Sequence, residues 1–354
     1  MEKRDYAYLL AGLDGAGPLL LRRLLALYGS AEQIFKEKTL PVPDSLQAAV
    51  QAAGERSRER LAERDAWEKK GIRWIGWEEE AYPRRLMTLP DAPLGLFVRG
   101  SLPPEETPSV GIVGARSCSP YGRTMAERFG GEFGAKGLSV ISGMARGIDG
   151  FAQQAALKAG GASWAVLGCG PDRCYPPGNR RLYEELAEKG GLISEYPPGT
   201  EPLAYHFPMR NRLIAAFSDV LLVLEARTKS GSLITVDQAL EQGKEVMALP
   251  GRVLDELSAG CNALIRQGAG VLTCCGDVYE LLGLGNEEAA AEGVRAPLPP
   301  RLEAVWQNIG TDPKHVEELM DALEEEMGPL SLALLELEEL GYIRQISGGC
   351  YVRT

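Results

Sequence analysis

Apolar residues follow three rhythms along the chain. Up to about residue 65, Leu9, Leu10, Leu13, Leu20, Leu21, Leu24, Leu25 and Leu27 fall at helical spacing, broken by Gly12–Pro18 and Gly29-Ser30. That pattern predicts helices joined by tight turns. From Gly71 to about Leu282, short apolar runs alternate with amphipathic stretches, the pattern of a doubly wound α/β sheet. Ile72–Trp77 and Leu94–Val98 are expected as leading strands. The main repeat then uses Val110–Val113, Leu138–Ile141, Trp164–Leu167, Gly191–Ile193, Val220–Leu224 and Val246–Leu249.

After Glu287–Pro300, rich in Ala, Glu and Pro and expected as a linker, the rhythm turns helical again. Leu302–Ile309 and Val316–Leu323 predict two helices, and Gly328-Pro-Leu-Ser331 opens a third that runs to Leu340. Gly341-Tyr-Ile-Arg-Gln-Ile, Gly348-Gly and Cys350-Tyr-Val predict a two-stranded wing. The expected division is therefore a helical domain over 1–65, an α/β domain over 66–285, a linker over 286–300 and a winged-helix domain over 301–354. Near the N-terminus, Leu13-Asp-Gly-Ala-Gly17-Pro resembles the hairpin of a helix-hairpin-helix module. Its loop amides suit either a DNA phosphate or a plain turn between packed helices.

Each apolar run of the main repeat is followed by a small-residue segment: Gly111-Ile-Val-Gly-Ala-Arg116, Ser142-Gly-Met-Ala-Arg-Gly-Ile-Asp149, Gly168-Cys-Gly170, Ser194-Glu-Tyr-Pro197, Ser230-Gly-Ser232 and Pro250-Gly251. In a parallel sheet these loops open at one carboxyl edge, where bare amides and helix N-termini favour anions, most naturally phosphates.

Composition narrows the choice. The 354 residues suffice for two or three domains. No apolar run has the length of a membrane span, and the charged start Met1-Glu-Lys-Arg-Asp5 lacks the form of a signal peptide. Seven cysteines without C-x-x-C spacing and only two histidines, His206 and His315, argue against structural zinc and for reduced thiols in a cytoplasmic chain. The net charge of −11 comes from the end of the chain, since residues 276–354 carry 5 Lys/Arg against 16 Asp/Glu and the rest is balanced. The glycine loops themselves are basic, holding Arg116, Arg146, Arg173, Arg210, Arg212, Arg227 and Lys229. An acidic chain of this kind still accommodates a polyanion. The expected recognition helix of the wing domain instead carries Glu336, Glu338 and Glu339 and no Lys or Arg. It would repel a DNA backbone and reads as a protein-docking surface.

Three phosphate ligands come into question. A dinucleotide is disfavoured, because Gly111-x-x-Gly114-x-Arg116 departs from G-x-G-x-x-G and Ser142-Gly143 supplies no acidic residue for a ribose. No G-x-x-x-x-G-K-[ST] segment is present for ATP, and no cofactor is expected. A nucleotide or nucleoside-monophosphate hydrolase is the second possibility. Ser230-Gly-Ser-Leu-Ile-Thr235 stands where Rossmann-type phosphoribohydrolases carry Pro-Gly-Gly-x-Gly-Thr-x-x-Glu, but Gln238 occupies the glutamate position. Glu195 and Glu225 remain as candidate carboxylates, each equally suited to orienting an arginine. The third possibility is a nucleic-acid backbone. It explains arginines spread over several loops, with hydroxyls at Ser119, Ser142 and Ser230 and aromatic rings at Tyr205 and Phe207. Asp149 would brace its loop.

The residues then become specific. Gly114-Ala-Arg-Ser-Cys-Ser-Pro-Tyr-Gly122, Ser142–Asp149, Leu167-Gly-Cys-Gly-Pro-Asp-Arg-Cys-Tyr-Pro-Pro-Gly-Asn179, Ile193–Pro197 and Phe207-Pro-Met-Arg-Asn-Arg212 resemble successive motifs of the DNA-processing protein A family (DprA, also called Smf). Glu225, Ser230–Thr235, Pro250-Gly251 and Gly260–Ala269 continue the resemblance in order. It implies an extended Rossmann-like doubly wound sheet with an N-terminal helical (SAM/helix-hairpin-helix-like) domain and a C-terminal winged helix. It also implies a non-enzymatic protein that binds single-stranded DNA in natural transformation and loads a RecA-type recombinase, easing displacement of single-strand binding protein. A homodimer through the Rossmann-like domain is implied as well. Phosphate contacts are expected from Gly114, Ala115 and Arg116 and from the Ser142–Gly147 loop, with Ser142, Gly143, Arg146 and Gly147. Arg210, Asn211, Arg212, Lys229, Ser230, Gly231 and Ser232 border the same pocket, and the Ser119 hydroxyl is expected among the phosphate contacts.

Overall fold

The computed structural model describes residues 1–13, 15–285, 298–310 and 312–353. Most of the expected linker (286–297), and Asp14 of the hairpin, lie outside the described residues. Five helices open the chain: α1 (Lys3–Ala11), α2 (Pro18–Tyr28), α3 (Ala31–Lys36), α4 (Asp44–Glu55) and α5 (Ser57–Glu68). Leu10, Leu21, Leu24 and Ile34 close into one cluster between them.

A sheet of nine strands follows: β1 (Ile72–Gly76), β2 (Gly95–Gly100), β3 (Ser109–Val113), β4 (Ser139–Ser142), β5 (Ser163–Val166), β6 (Gly191–Ser194), β7 (Val220–Val223), β8 (Glu245–Ala248) and β9 (Gly270–Val271). Their spatial order is β1-β2-β6-β5-β4-β3-β7-β8-β9. The seven strands β3 to β9 pair in parallel, while β2 pairs antiparallel with β6 and β1 antiparallel with β2. The two leading strands therefore extend one edge and stand beside β6 rather than beside β3. α1 ties the helical region to this edge, since Ala7, Tyr8 and Leu9 share a cluster with Trp74 and Phe97.

Strands buried on both faces give the sheet two cores. Val110, Ile112, Val220 and Leu222 face α6 (Pro120–Ala135), α7 (Ile148–Lys158) and α12 (Cys275–Leu281). Val113, Leu221 and Val223 face the opposite way, against α9 (His206–Phe217), α10 (Gly231–Glu241) and α11 (Ala259–Arg266). α8 (Arg180–Lys189) covers β5 and β6 through Leu182, Tyr183 and Leu186. The chain leaves β3 for β4 on one side, while β7 lies on the other. The loops after β3 and β7 consequently diverge and leave a crevice at the switch point.

The last region packs α13 (Pro300–Asn308), α14 (Val316–Leu323) and α15 (Met327–Glu339) around Leu302, Val305, Leu319 and Leu337. Its wing differs from the two-stranded expectation, because β10 (Lys314–His315) joins β11 (Ile343–Ile346) and β12 (Cys350–Arg353) in the order β10-β12-β11. Arg344 on β11 reaches Glu127 on α6 at 2.7 Å, and Arg252 pairs with Asp312. Among the described residues, no helix is long and apolar enough to cross a membrane.

Candidate functional site

A cavity of about 660 Å³ opens at the switch point. One wall is the loop after β3, with Gly114, Ala115, Arg116 and Ser117; the opposite wall is Arg227, Lys229 and the first turn of α10. α9 supplies the floor through Phe207, Arg210, Asn211 and Ile214, and Tyr175 closes one end. The sequence builds the α10 wall locally. Ser230 caps the helix, accepting from Ser232 N and sharing a 2.7 Å hydroxyl–hydroxyl bond with Ser232. Nothing lies within 4 Å of where a Gly231 side chain would project. The positive end of an 11-residue helix thus faces the cavity behind small residues, a geometry suited to a phosphate.

Two cations are left for a ligand. Arg116 is exposed and forms no ion pair among the described residues, and its guanidinium lies 5.7 Å from the centre of the Phe207 ring. Lys229 is exposed on the opposite wall, also without an ion partner among the described residues. Arg227 shares its charge with Glu256 at 3.5 Å. Arg146 is exposed on the next loop and does not line the cavity.

Of the fifteen residues read from sequence, the cavity gathers Gly114, Ala115, Arg116, Arg210, Asn211, Lys229, Ser230, Gly231 and Ser232. The others face elsewhere for specific reasons. Ser119 caps α6, accepting from Gly122 N while its own N–H and hydroxyl donate to Glu225 at 2.9 and 2.5 Å. Ser142 is buried and donates its hydroxyl to Ile112 O at 2.6 Å, tying β4 to β3. Gly143 N donates to Asp149 and Gly143 O accepts from Arg210. Gly147 holds φ at +77°, and a side chain there would collide with the Ala115 carbonyl. Glycine at this position keeps the two loops in contact.

The two arginines of Arg210-Asn-Arg212 also differ from a pair of surface phosphate ligands. Arg212 is only 3% exposed and points away from the cavity, donating to Asp91 at 2.7 Å and to both oxygens of Glu195 at 3.2 and 2.8 Å. Burial alone would lower its pKa, but the Glu195 and Asp91 carboxylates outweigh that and the net direction is upward. Arg210 borders the cavity from beneath, donating to Val166 O and Gly143 O. Burial pulls its guanidinium down to about 10, against the opposing pull of Asp149. Asp149, the one acidic residue lining the cavity among those described, is itself pushed up by burial while Arg210 draws it down.

Residues 73–283 match the family model described as DNA recombination-mediator protein A, and residues 289–349 match the DprA winged helix domain. The chain belongs to the DNA recombination-mediator protein A family. Protein Smf of Escherichia coli is 39% identical over 287 residues, covering 78% of this chain and 76% of that protein. The crystal structure of DNA processing protein A from Streptococcus pneumoniae superposes with a TM-score of 0.63 at 36% identity, covering 78% of this chain and 97% of that one. DNA processing protein A from Helicobacter pylori, reported for its single-stranded DNA binding mode, gives 0.54 at 31% identity, over 58% and 94% of the respective chains.

In this member of the DNA recombination-mediator protein A family, the two carboxylates weighed for hydrolysis are both engaged. Glu195 holds Arg212, and Glu225 is buried under the α6 cap. His206 is engaged too, with Nδ1 3.1 Å from Gly168 O and its ring stacked on Tyr196. The sequence reading missed Tyr175, whose ring centre lies 5.4 Å from that of Phe207. Its position in the Tyr175-Pro-Pro-Gly-Asn179 motif was the available signal. Tyr205 is exposed against His206 and does not line the cavity.

Proposed function

We propose that this protein binds single-stranded DNA by its phosphates along the carboxyl rim of the sheet, without cutting it, and passes the strand to a RecA-type recombinase during natural transformation. The observation that carries the reading is the pair of ion-free cations, Arg116 and Lys229, on opposite walls of a cavity that also presents the capped N-terminus of α10. The phosphates of a strand in this cavity would be drawn by both cations and by the α10 N-terminus. The Phe207 and Tyr175 rings beside Arg116, tilted 33° to each other, offer aromatic faces to an unpaired base. The Helicobacter pylori relative, studied for its single-stranded DNA binding, supports the choice of polymer.

Competition against a labelled single strand separates the readings. Unlabelled single-stranded DNA is expected to displace the probe, while free nucleotides and duplex of equal phosphate concentration displace it far less. Displacement by mononucleotides at similar concentrations, with release of base detected by chromatography, would establish the hydrolase instead. Recombinase delivery is tested with strands coated by single-strand binding protein, on which this protein should accelerate recombinase filament formation. A homodimer through the sheet domain, the remaining element of the proposal, is read from the mass in solution.

The winged-helix region is dispensable for the contact with DNA in this reading. Its cluster around Leu302, Val305 and Leu337 is separate from those of the sheet, and none of its residues lines the switch-point cavity. A chain ending at residue 285 is expected to keep its single-strand affinity within about threefold, measured by anisotropy, since no phosphate contact is removed.

A further inference from the structure

We propose that the solvent face of α15 is a docking site for a basic, amphipathic helix of a partner protein. α15 buries Leu330, Ala333, Leu334 and Leu337 in its own domain. Its opposite face presents Leu332, Leu335 and the helix-end Leu340 at 61%, 54% and 58% exposure. With Glu336 and Glu339 these residues stand at i, i+3, i+4, i+7 and i+8, a continuous stripe along one side of the helix. Glu336 and Glu339 are exposed and have no ion partner among the described residues, whereas Glu338 is occupied as acceptor of Gln345 N.

The chemistry of the stripe selects its occupant. Three leucines in water are an unfavourable surface unless something covers them. DNA is excluded as that cover by the two free carboxylates and by the surrounding charge, since residues 298–353 carry 4 Lys/Arg against 11 Asp/Glu. A second copy docking through the same stripe would oppose Glu336 and Glu339 to themselves. A helix with apolar residues on one side, bordered by Lys or Arg, satisfies both features: leucine meets its apolar side, and each glutamate gains a cation at the rim.

The full-length protein can be tested with a synthetic helical peptide of leucine and lysine whose leucines share one face. Binding is read by anisotropy of the labelled peptide. The same composition scrambled so that its leucines are dispersed is expected to bind roughly tenfold more weakly. Leu332→Asp with Leu335→Asp is the decisive variant: it adds negative charge, so attraction of a cationic peptide to acidic surface in general would rise. The proposal requires a fall of roughly tenfold. Glu336→Lys with Glu339→Lys, which leaves the leucines intact, should weaken binding likewise. Unchanged peptide affinity in the Leu332/Leu335 variant would overturn the proposal. So would a drop in its mass in solution, which would assign the face to self-association, or a loss of affinity for duplex DNA.

Discussion

Replacing Arg116 and Lys229 together by alanine is expected to reduce single-strand affinity about 100-fold while leaving the fold intact. Each side chain is exposed and without an ion partner among the described residues, so its removal leaves no buried charge behind. A charge-assisted hydrogen bond contributes about 1.5–3 kcal/mol, and each 1.4 kcal/mol is a factor of about ten in affinity. Losing one such bond at each wall therefore gives at least the stated factor. Salt supplies the sharper signature. Each phosphate contact on a single strand adds about 0.7 to the slope of log affinity against log salt, so the double variant should be flatter by about 1.4. The loss should be alike for all base sequences, because phosphate contacts position the strand without reading it. An anisotropy titration from low to moderate salt measures both quantities. Unchanged affinity and slope would place the strand elsewhere on the molecule.

Arg212 marks the limit of what a motif reveals. In sequence, Arg210 and Arg212 flank one asparagine and look equivalent. In the fold, the helix sends Arg212 toward Asp91, which lies 121 residues away along the chain. No local pattern identifies a partner at that separation. Ser142 shows the same limit at shorter range: a serine ending a strand can face a ligand or the neighbouring strand, and here it donates to Ile112 O. Arg116 stands out in the sequence because it follows a strand inside a glycine loop, and among the described residues it is exposed and forms no ion pair. The parallel strands were legible for a similar reason, since double-sided burial requires uninterrupted apolar runs. β9 escaped notice because it is two exposed residues, Gly270 and Val271. The attachment of β1 and β2 to the β6 edge escaped as well, because strand order depends on contacts between distant segments that the periodicity of one segment does not encode.

Gly130→Val is expected to destabilise the protein by about 3 kcal/mol, near the upper end for overpacking a dense contact, whereas Gly131→Ala should stabilise it. The two neighbours on α6 face different surroundings. α6 crosses α7 through Gly130 and Gly134 against Ala152 and Ala156, each pair four residues apart, so the two backbones approach closely. A methyl on Gly134 would sit 2.6 Å from Ala156 O, and one on Gly130 would collide with Ala152 O. Gly131 instead points outward, and its added methyl would meet only the Ala155 methyl at 4.0 Å, an ordinary contact. There the substitution gains up to about 1 kcal/mol of helix propensity without a steric cost. Urea unfolding should show the midpoints moving in opposite directions. The helix pair also reaches the candidate site. α6 begins just after the Arg116 loop and α7 just after Gly147, which rests against the Ala115 carbonyl. Spreading the helices at Gly130 would draw these loops apart, so the folded fraction of Gly130→Val should bind single-stranded DNA more weakly than the parent. Gly131→Ala, which leaves the crossing untouched, should bind as before.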